Sequence, residues 1–203
     1  MHIKRIKLLT LVIAFIVSYM NVHTQENDVV LQYDQLTLEY TYADGDIDSY
    51  GPGLDWSKRH NNLLLGVNLG YAWIQDSEVK ILQTGVELGY VYELSETLHF
   101  VPALGVSFAI TRDLEVHANS CFFIPSLSLN YAATDSLELS LGLAYAEPFS
   151  TNLNGEDISE YMEGAFTGSI GTEYAISTNI GLIGRLLISE YSYGFGIGIS
   201  FHH

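Results

Sequence analysis

The chain has 203 residues, 48% of them hydrophobic, with 14 Tyr, 9 Phe and 18 Gly, and it sets 24 acids against eight Lys and Arg for a net charge of -16. Such an acidic surface excludes nucleic acid as a partner, because phosphate binding demands clustered positive charge. Mean hydropathy is only +0.18, too low for a bundle of apolar helices, and the single cysteine, Cys121, excludes an intrachain disulfide and a Cys-rich metal site.

Residues 1–24 stand apart from the rest. Lys4, Arg5 and Lys7 precede an apolar run from Leu8 to Met20, and the polar stretch Asn21 to Gln25 follows it. Charge, short apolar core and polar tail in that order read as a secretory signal peptide, and the run is too short for a membrane anchor. No Cys follows the run, which argues against a lipoprotein. We therefore divide the chain into a signal peptide, 1–24, and one domain, 25–203, in which five basic residues face 24 acids.

After an acidic lead-in, Glu26 to Val30, alternation of period two predicts ten strands. The first, Gln35 to Ala43, sets Leu36, Leu38, Tyr40 and Tyr42 against Gln35, Thr37, Glu39 and Thr41, and Asp44-Gly-Asp46 turns it. Ser49 to Ser57 is the weakest, interrupted by Gly51-Pro52-Gly53. The third carries Leu63, Leu65, Val67, Leu69, Tyr71 and Trp73 on one face and Gly66, Asn68 and Gly70 on the other. Leu82 to Tyr92, Leu98 to Phe108 (with Pro102), Phe123 to Tyr131 (with Pro125), Leu137 to Tyr145, Phe166 to Ile176 and Ile180 to Ile188 follow. The spacing predicts two long loops, 111–120 and 147–163. The tenth segment, 191–201, alternates without error: Tyr191, Tyr193, Phe195, Ile197, Ile199 and Phe201 on one face, only Gly and Ser on the other.

A face of bare Gly and Ser is a poor aqueous surface, so a soluble barrel with its aromatics inside does not fit. A bilayer-spanning barrel fits: apolar side chains point to lipid and small or polar ones line the lumen. The expected fold is all-β, an antiparallel up-and-down transmembrane β-barrel of ten strands, with eight as the alternative. Ten strands place both termini on the periplasmic side and both long loops on the external side, the asymmetry of outer-membrane barrels. With these directions the aromatics fall into two groups, Tyr40, Tyr71, Trp73, Tyr145 and Phe166 among those near the external rim and Trp56, Tyr90, Tyr92 and Phe201 among those near the periplasmic rim, as an aromatic girdle requires.

Signal peptide, short-turn meander and aromatic-ended last strand together resemble the small outer-membrane β-barrel proteins of the OmpA-like and porin-like group, over residues 30–201. The resemblance implies a Gram-negative outer membrane, contact with outer-membrane lipid, and an insertion signal read by the barrel-insertion machinery in Tyr191, Tyr193, Phe195, Ile197, Ile199 and Phe201. His202 and His203 follow that Phe and leave the match imperfect. The scaffold carries no reaction of its own.

The inward face collects a lumenal polar network of Glu39, Glu87, His99, Glu138, Glu173 and Arg185, with Asp55, Asn68 and Asn130 beside it. Carboxylates with a His could serve acid–base chemistry, but the same groups equally satisfy one another around Arg185, with Glu173 and Arg185 a diagonal pair across a short turn. His117 and Ser120 in a solvated loop lack the Gly elbow of a lipid hydrolase. Asp44-Gly-Asp46-Ile-Asp48 starts like a calcium loop but has Ser49 where Gly is needed, so it reads as a turn. The expectation is a non-catalytic barrel with a structural, surface-interaction or low-conductance solute role, without cofactor or metal; an outer-membrane enzyme acting on lipid or surface peptide is the alternative. Phe201→Glu should lower the outer-membrane level of the protein sharply while sparing its synthesis. Normal insertion of that variant, measured by membrane fractionation, would reject the proposed signal.

Overall fold

The computed structural model describes residues 31–45, 48–113, 117–190 and 192–202. Residues 1–24, read above as a signal peptide, the lead-in 26–30, Asp46, Tyr191 and His203 lie outside them. Ten long strands make one antiparallel sheet: β1 Gln35–Gly45, β2 Ser49–His60, β3 Leu63–Ile74, β4 Lys80–Tyr90, β5 Leu98–Arg112, β6 His117–Thr134, β7 Leu137–Leu153, β8 Ala165–Ser177, β9 Ile180–Ser189 and β10 Ser192–His202. Each strand pairs with the next, and β10 pairs back onto β1 from Gln35↔His202 to Gly45↔Ser192, so the sheet closes into an up-and-down barrel. Closure removes both sheet edges, which a strand crossing lipid cannot leave unpaired.

Side-chain parity follows the sequence alternation. Leu65, Leu69, Leu88, Leu104, Leu141 and Ile197 are exposed on the outer wall, while Thr37, Asn68, Gln83, Ser107 and Arg185, each on a strand with such an outer residue or its neighbour, are buried inside. This inverts a soluble sheet. Hydrophobic residues cover the outside because acyl chains are their solvent there, and polar ones turn inward where they find partners.

The strands run further than their apolar stretches. β5 continues to Arg112 and β6 begins at His117, so most of the expected loop 111–120 is paired backbone, from Ile110↔Asn119 to Arg112↔His117. Likewise β7 continues to Leu153, an Asn154-Gly155 turn with φ of 53° and 93° reverses the chain, and Glu156–Asp157 pairs with Leu153 and Asn152. Two successive positive φ values are what Asn-Gly supplies. A short 3-10 turn, Ser159–Tyr161, completes the segment expected as the loop 147–163. Polar residues hid these extensions, since backbone pairing beyond the membrane needs no apolar face.

Pro52 is absorbed at an outward position between the ladder pairs Tyr50↔Trp73 and Gly53↔Gly70, which keep one register across it. Its neighbour must be Gly: a Cβ at Gly51 would strike the backbone of Tyr71 and Ala72. Pro102 and Pro125 also point outward and sit diagonally in the β5–β6 ladder, Pro102↔Leu127 and Leu104↔Pro125. At the other end of the chain, His202 is not an overhang but the last paired residue of β10, its N–H donating to the Asn179 carbonyl at 3.0 Å.

Leu69→Arg places a charge on the lipid-facing wall and should cost ~2–4 kcal/mol near the midplane. Gly66→Ser, whose new Cβ meets the Glu87 Cβ at an ordinary 3.6 Å, should be close to neutral. Urea unfolding of the refolded barrels measures both, and equal losses would contradict the assigned parity.

Candidate functional site

The lumen is organised by strands that carry little or nothing on their inner face. Between Ser192 and His202 the inward positions of β10 are Gly194, Gly196, Gly198 and Ser200. Across this bare lane Glu39 of β1 reaches Arg185 of β9, two strands away, at 2.8 Å, with both side chains almost wholly buried. A Cβ at Gly196 would occupy the space of the Glu39 carboxylate. The same device recurs one strand on: Glu173 of β8 passes over Gly181 of β9 to hydrogen-bond Ser200 and to meet His202 Nε2 at 2.8 Å on β10.

These contacts assign partners within the expected lumenal network. Arg185 holds Glu39, and Glu173 holds His202, a residue the sequence reading left outside the network. Glu138 lies directly opposite Glu173 in the β7–β8 ladder. Glu87 accepts from Ser126 Oγ at 3.2 Å, and Asp55 sits between Thr37 and Asn68 in successive ladders. His99 is not part of this central group. It faces the barrel mouth that both chain ends share, where Tyr33 covers it.

Inward-facing Asp55, Gly66, Ser128, Glu138, Ser140 and Gly142 are only half-buried, so the barrel encloses a chamber at their level. The chamber is polar and acidic. Beside it the side-chain oxygens of Thr37, Asn68 and Ser128 are buried in the wall without a hydrogen-bond partner among the described residues. An apolar cluster lies toward each end of the barrel. Away from the termini, Ile81, Phe122 and Ile124 pack with Ala72, Ala109 and Ala144 into an apolar cluster. At the shared mouth, Leu31 and Tyr33 pack with Leu64, Val91, Val101 and Ala132. Sequence reading missed the second stopper because Leu31 to Asp34 precede the first alternating segment. Tyr33, a large aromatic beside an acid just ahead of a strand, was the one signal available.

Burial pushes the Tyr33 hydroxyl well above the ordinary phenol range, helped by the nearby Glu138 carboxylate, so it stays protonated. It can therefore donate to His99 Nδ1 at 2.9 Å. Arg59 lies 5.0 Å from the Tyr33 ring centroid and bonds Glu93 at 2.5 Å.

Ser200 and Glu173 both approach Nε2 of His202, while a relay needs base and orienting acid on opposite ring nitrogens. His117 and Ser120 lie in β6, not in a loop, and their opposite parity puts His117 outside and Ser120 inside. Asp44 accepts from the Tyr193 hydroxyl at 2.6 Å, at the rim where the calcium-like pattern begins. Among the described residues no group of three or more His, Cys, Asp or Glu is placed to hold a metal ion.

No family model matches the chain, and no curated protein matches it. Solved structures do. The COG4313 outer membrane channel from Pseudomonas putida F1 is similar with a TM-score of 0.58 and 8% identity, over 89% of this chain and 100% of that one. The NanC porin is similar with a TM-score of 0.51 and 10% identity, over 83% and 100%. The fold is that of a small outer-membrane β-barrel. At such identities the likeness concerns the barrel fold alone. Both similar chains are covered over their whole length, so the barrel is matched as a complete unit.

Breaking one partner of a buried ion pair leaves the other charge stranded, at a cost of about 3–5 kcal/mol. Arg185→Met and Glu39→Gln should each destabilise the barrel on that scale, and Gly196→Val should do the same by displacing Glu39. The double variant Glu39→Gln with Arg185→Met should be more stable than the Arg185→Met single. A double-mutant cycle in urea checks the coupling, and strict additivity would show that the pair contributes nothing.

Proposed function

We propose that the barrel is a non-catalytic pathway of low conductance for small cationic or neutral polar solutes across the outer membrane, closed at rest. The observation that carries this reading is the acidic chamber enclosed between two stoppers. A barrel built only as an anchor gains nothing from a half-buried Asp55, Glu138 and a row of serines at its centre, since polar groups kept from bulk water cost free energy unless paired. Glu39, Asp55, Glu87, Glu138 and Glu173 outnumber Arg185 and Arg59 in the lumen, so a cation entering it meets carboxyl groups that can give up a proton to pair with it. Cations are favoured and acidic solutes are not.

In this reading both termini are periplasmic, and the extended β6–β7 hairpin rises on the external side. Ring pairs support a bilayer-spanning position, without bearing on which end is external: Tyr50 with Trp73 and Tyr145 with Phe166 at one level, Tyr90 with Tyr92 and Tyr92 with Phe100 at the other. Amphipathic rings gather at the two headgroup levels of a bilayer. Insertion by the barrel machinery through the Tyr193 to Phe201 ridge belongs to the same proposal.

Planar-bilayer recording on the refolded protein tests it. In a KCl gradient the reversal potential of the small, rare openings should show cation preference, and Asp55→Asn with Glu87→Gln should weaken that preference. Anion preference, or the absence of openings from the full chain and from chains lacking either stopper, would overturn the reading.

A further inference from the structure

The segment ahead of β1 is held as a ligand is held. Leu31 and Tyr33 are 3% and 0% exposed. The Tyr33 ring stacks on His99 with centroids 5.8 Å apart and planes at 12°, and the Arg59 guanidinium lies 5.0 Å from its centroid. Its hydroxyl meets His99 Nδ1, and its carbonyl accepts from Ser57 Oγ at 3.0 Å. Asp34 then accepts from the Arg59 backbone N–H at 2.8 Å and from Lys58 Nζ at 3.0 Å. Ring body, phenol, backbone and following carboxylate are each matched by a different group of the mouth: an apolar cup, a His–Arg clamp, a hydroxyl donor and a cation.

We infer that the shared mouth of the barrel is a peptide-binding site for a short aromatic–acidic segment, with Leu31 to Asp34 as its resident ligand, and that its occupancy closes the pathway. The binding half stands on the contacts alone; the closing half rests on the function proposed above. Of the four residues that grip the segment, Ser57, Lys58 and Arg59 come from one strand end and His99 from another, so the site is built by the barrel wall. The β1–β10 ladder starts at Gln35, so the site can be emptied without removing a strand.

The test uses a chain beginning at Gln35, refolded and shown to be closed by its heat-dependent gel mobility, with a dye-labelled Leu-Gln-Tyr-Asp-Gln peptide as probe. If that chain fails to refold, the full chain carrying Tyr33→Ala takes its place. Saturable binding, measured by fluorescence anisotropy, is expected to the emptied barrel and not to the intact one. Replacing the peptide Tyr with Ala, or Arg59 with Ala in the barrel, should weaken binding by about tenfold or more, the loss of one buried aromatic clamp. No saturable binding, or equal binding of the Ala peptide, overturns the inference. In planar bilayers the emptied barrel should open and the peptide, added on the side of the termini, should close it. Current without peptide block sinks this inference and spares the pore. Binding without any current does the reverse, sparing the site and sinking both the closing role and the pore.

Discussion

The ladder between β1 and β10 is the constraint on which the rest depends. A sheet crossing lipid has no water to satisfy its edges, so it must close. Closure here requires Leu36, Leu38, Tyr40 and Tyr42 to lie opposite Phe201, Ile199, Ile197 and Phe195 on the lipid side. That register simultaneously brings Thr37, Glu39 and Thr41 against Ser200, Gly198 and Gly196 inside. One strand pairing thus fixes both the outer apolar seam and the inner polar one. A slip by one residue would turn Glu39 to lipid and Tyr40 into the lumen.

The empty inner face of β10 then does a second task. Side chains on strands two apart cannot ordinarily meet, because the strand between them fills the gap. Gly196 and Gly198 leave that gap open, and the Glu39–Arg185 pair crosses it; Gly181 lets Glu173 reach Ser200 and His202 in the same manner. The glycines weaken β10 as a strand and are compensated by the buried ion pair laid over them.

Much of the fold was legible because lipid outside and a narrow lumen inside impose period two on every strand. All ten strands, their order and their parity follow from it. What the alternation could not reveal lies where that imposition ends. β5, β6 and β7 run on past the apolar band with polar residues, held by backbone pairing that leaves no trace in hydropathy, so 111–120 and 147–163 look like loops. Leu31 to Asp34 enter the lumen without belonging to any strand. The lumenal residues were legible as a set, since parity alone turns Glu39, Glu87, Glu138, Glu173 and Arg185 inward. Their pairing was not, because it depends on which neighbouring glycine permits a crossing. His202 looked dispensable beside a terminal Phe and is instead paired in β10 and bonded to Glu173.

Closure in this register can be measured directly by cysteine pairing across the seam. In a Cys121→Ser background, Thr37→Cys with Ser200→Cys places two inward cysteines opposite one another on β1 and β10. Oxidation of the refolded protein should give an intramolecular disulfide in most molecules, seen as a faster-migrating, reductant-sensitive monomer after boiling. An open sheet or a shifted register would leave both thiols free or link separate molecules into dimers, and either result would contradict the closed barrel described here.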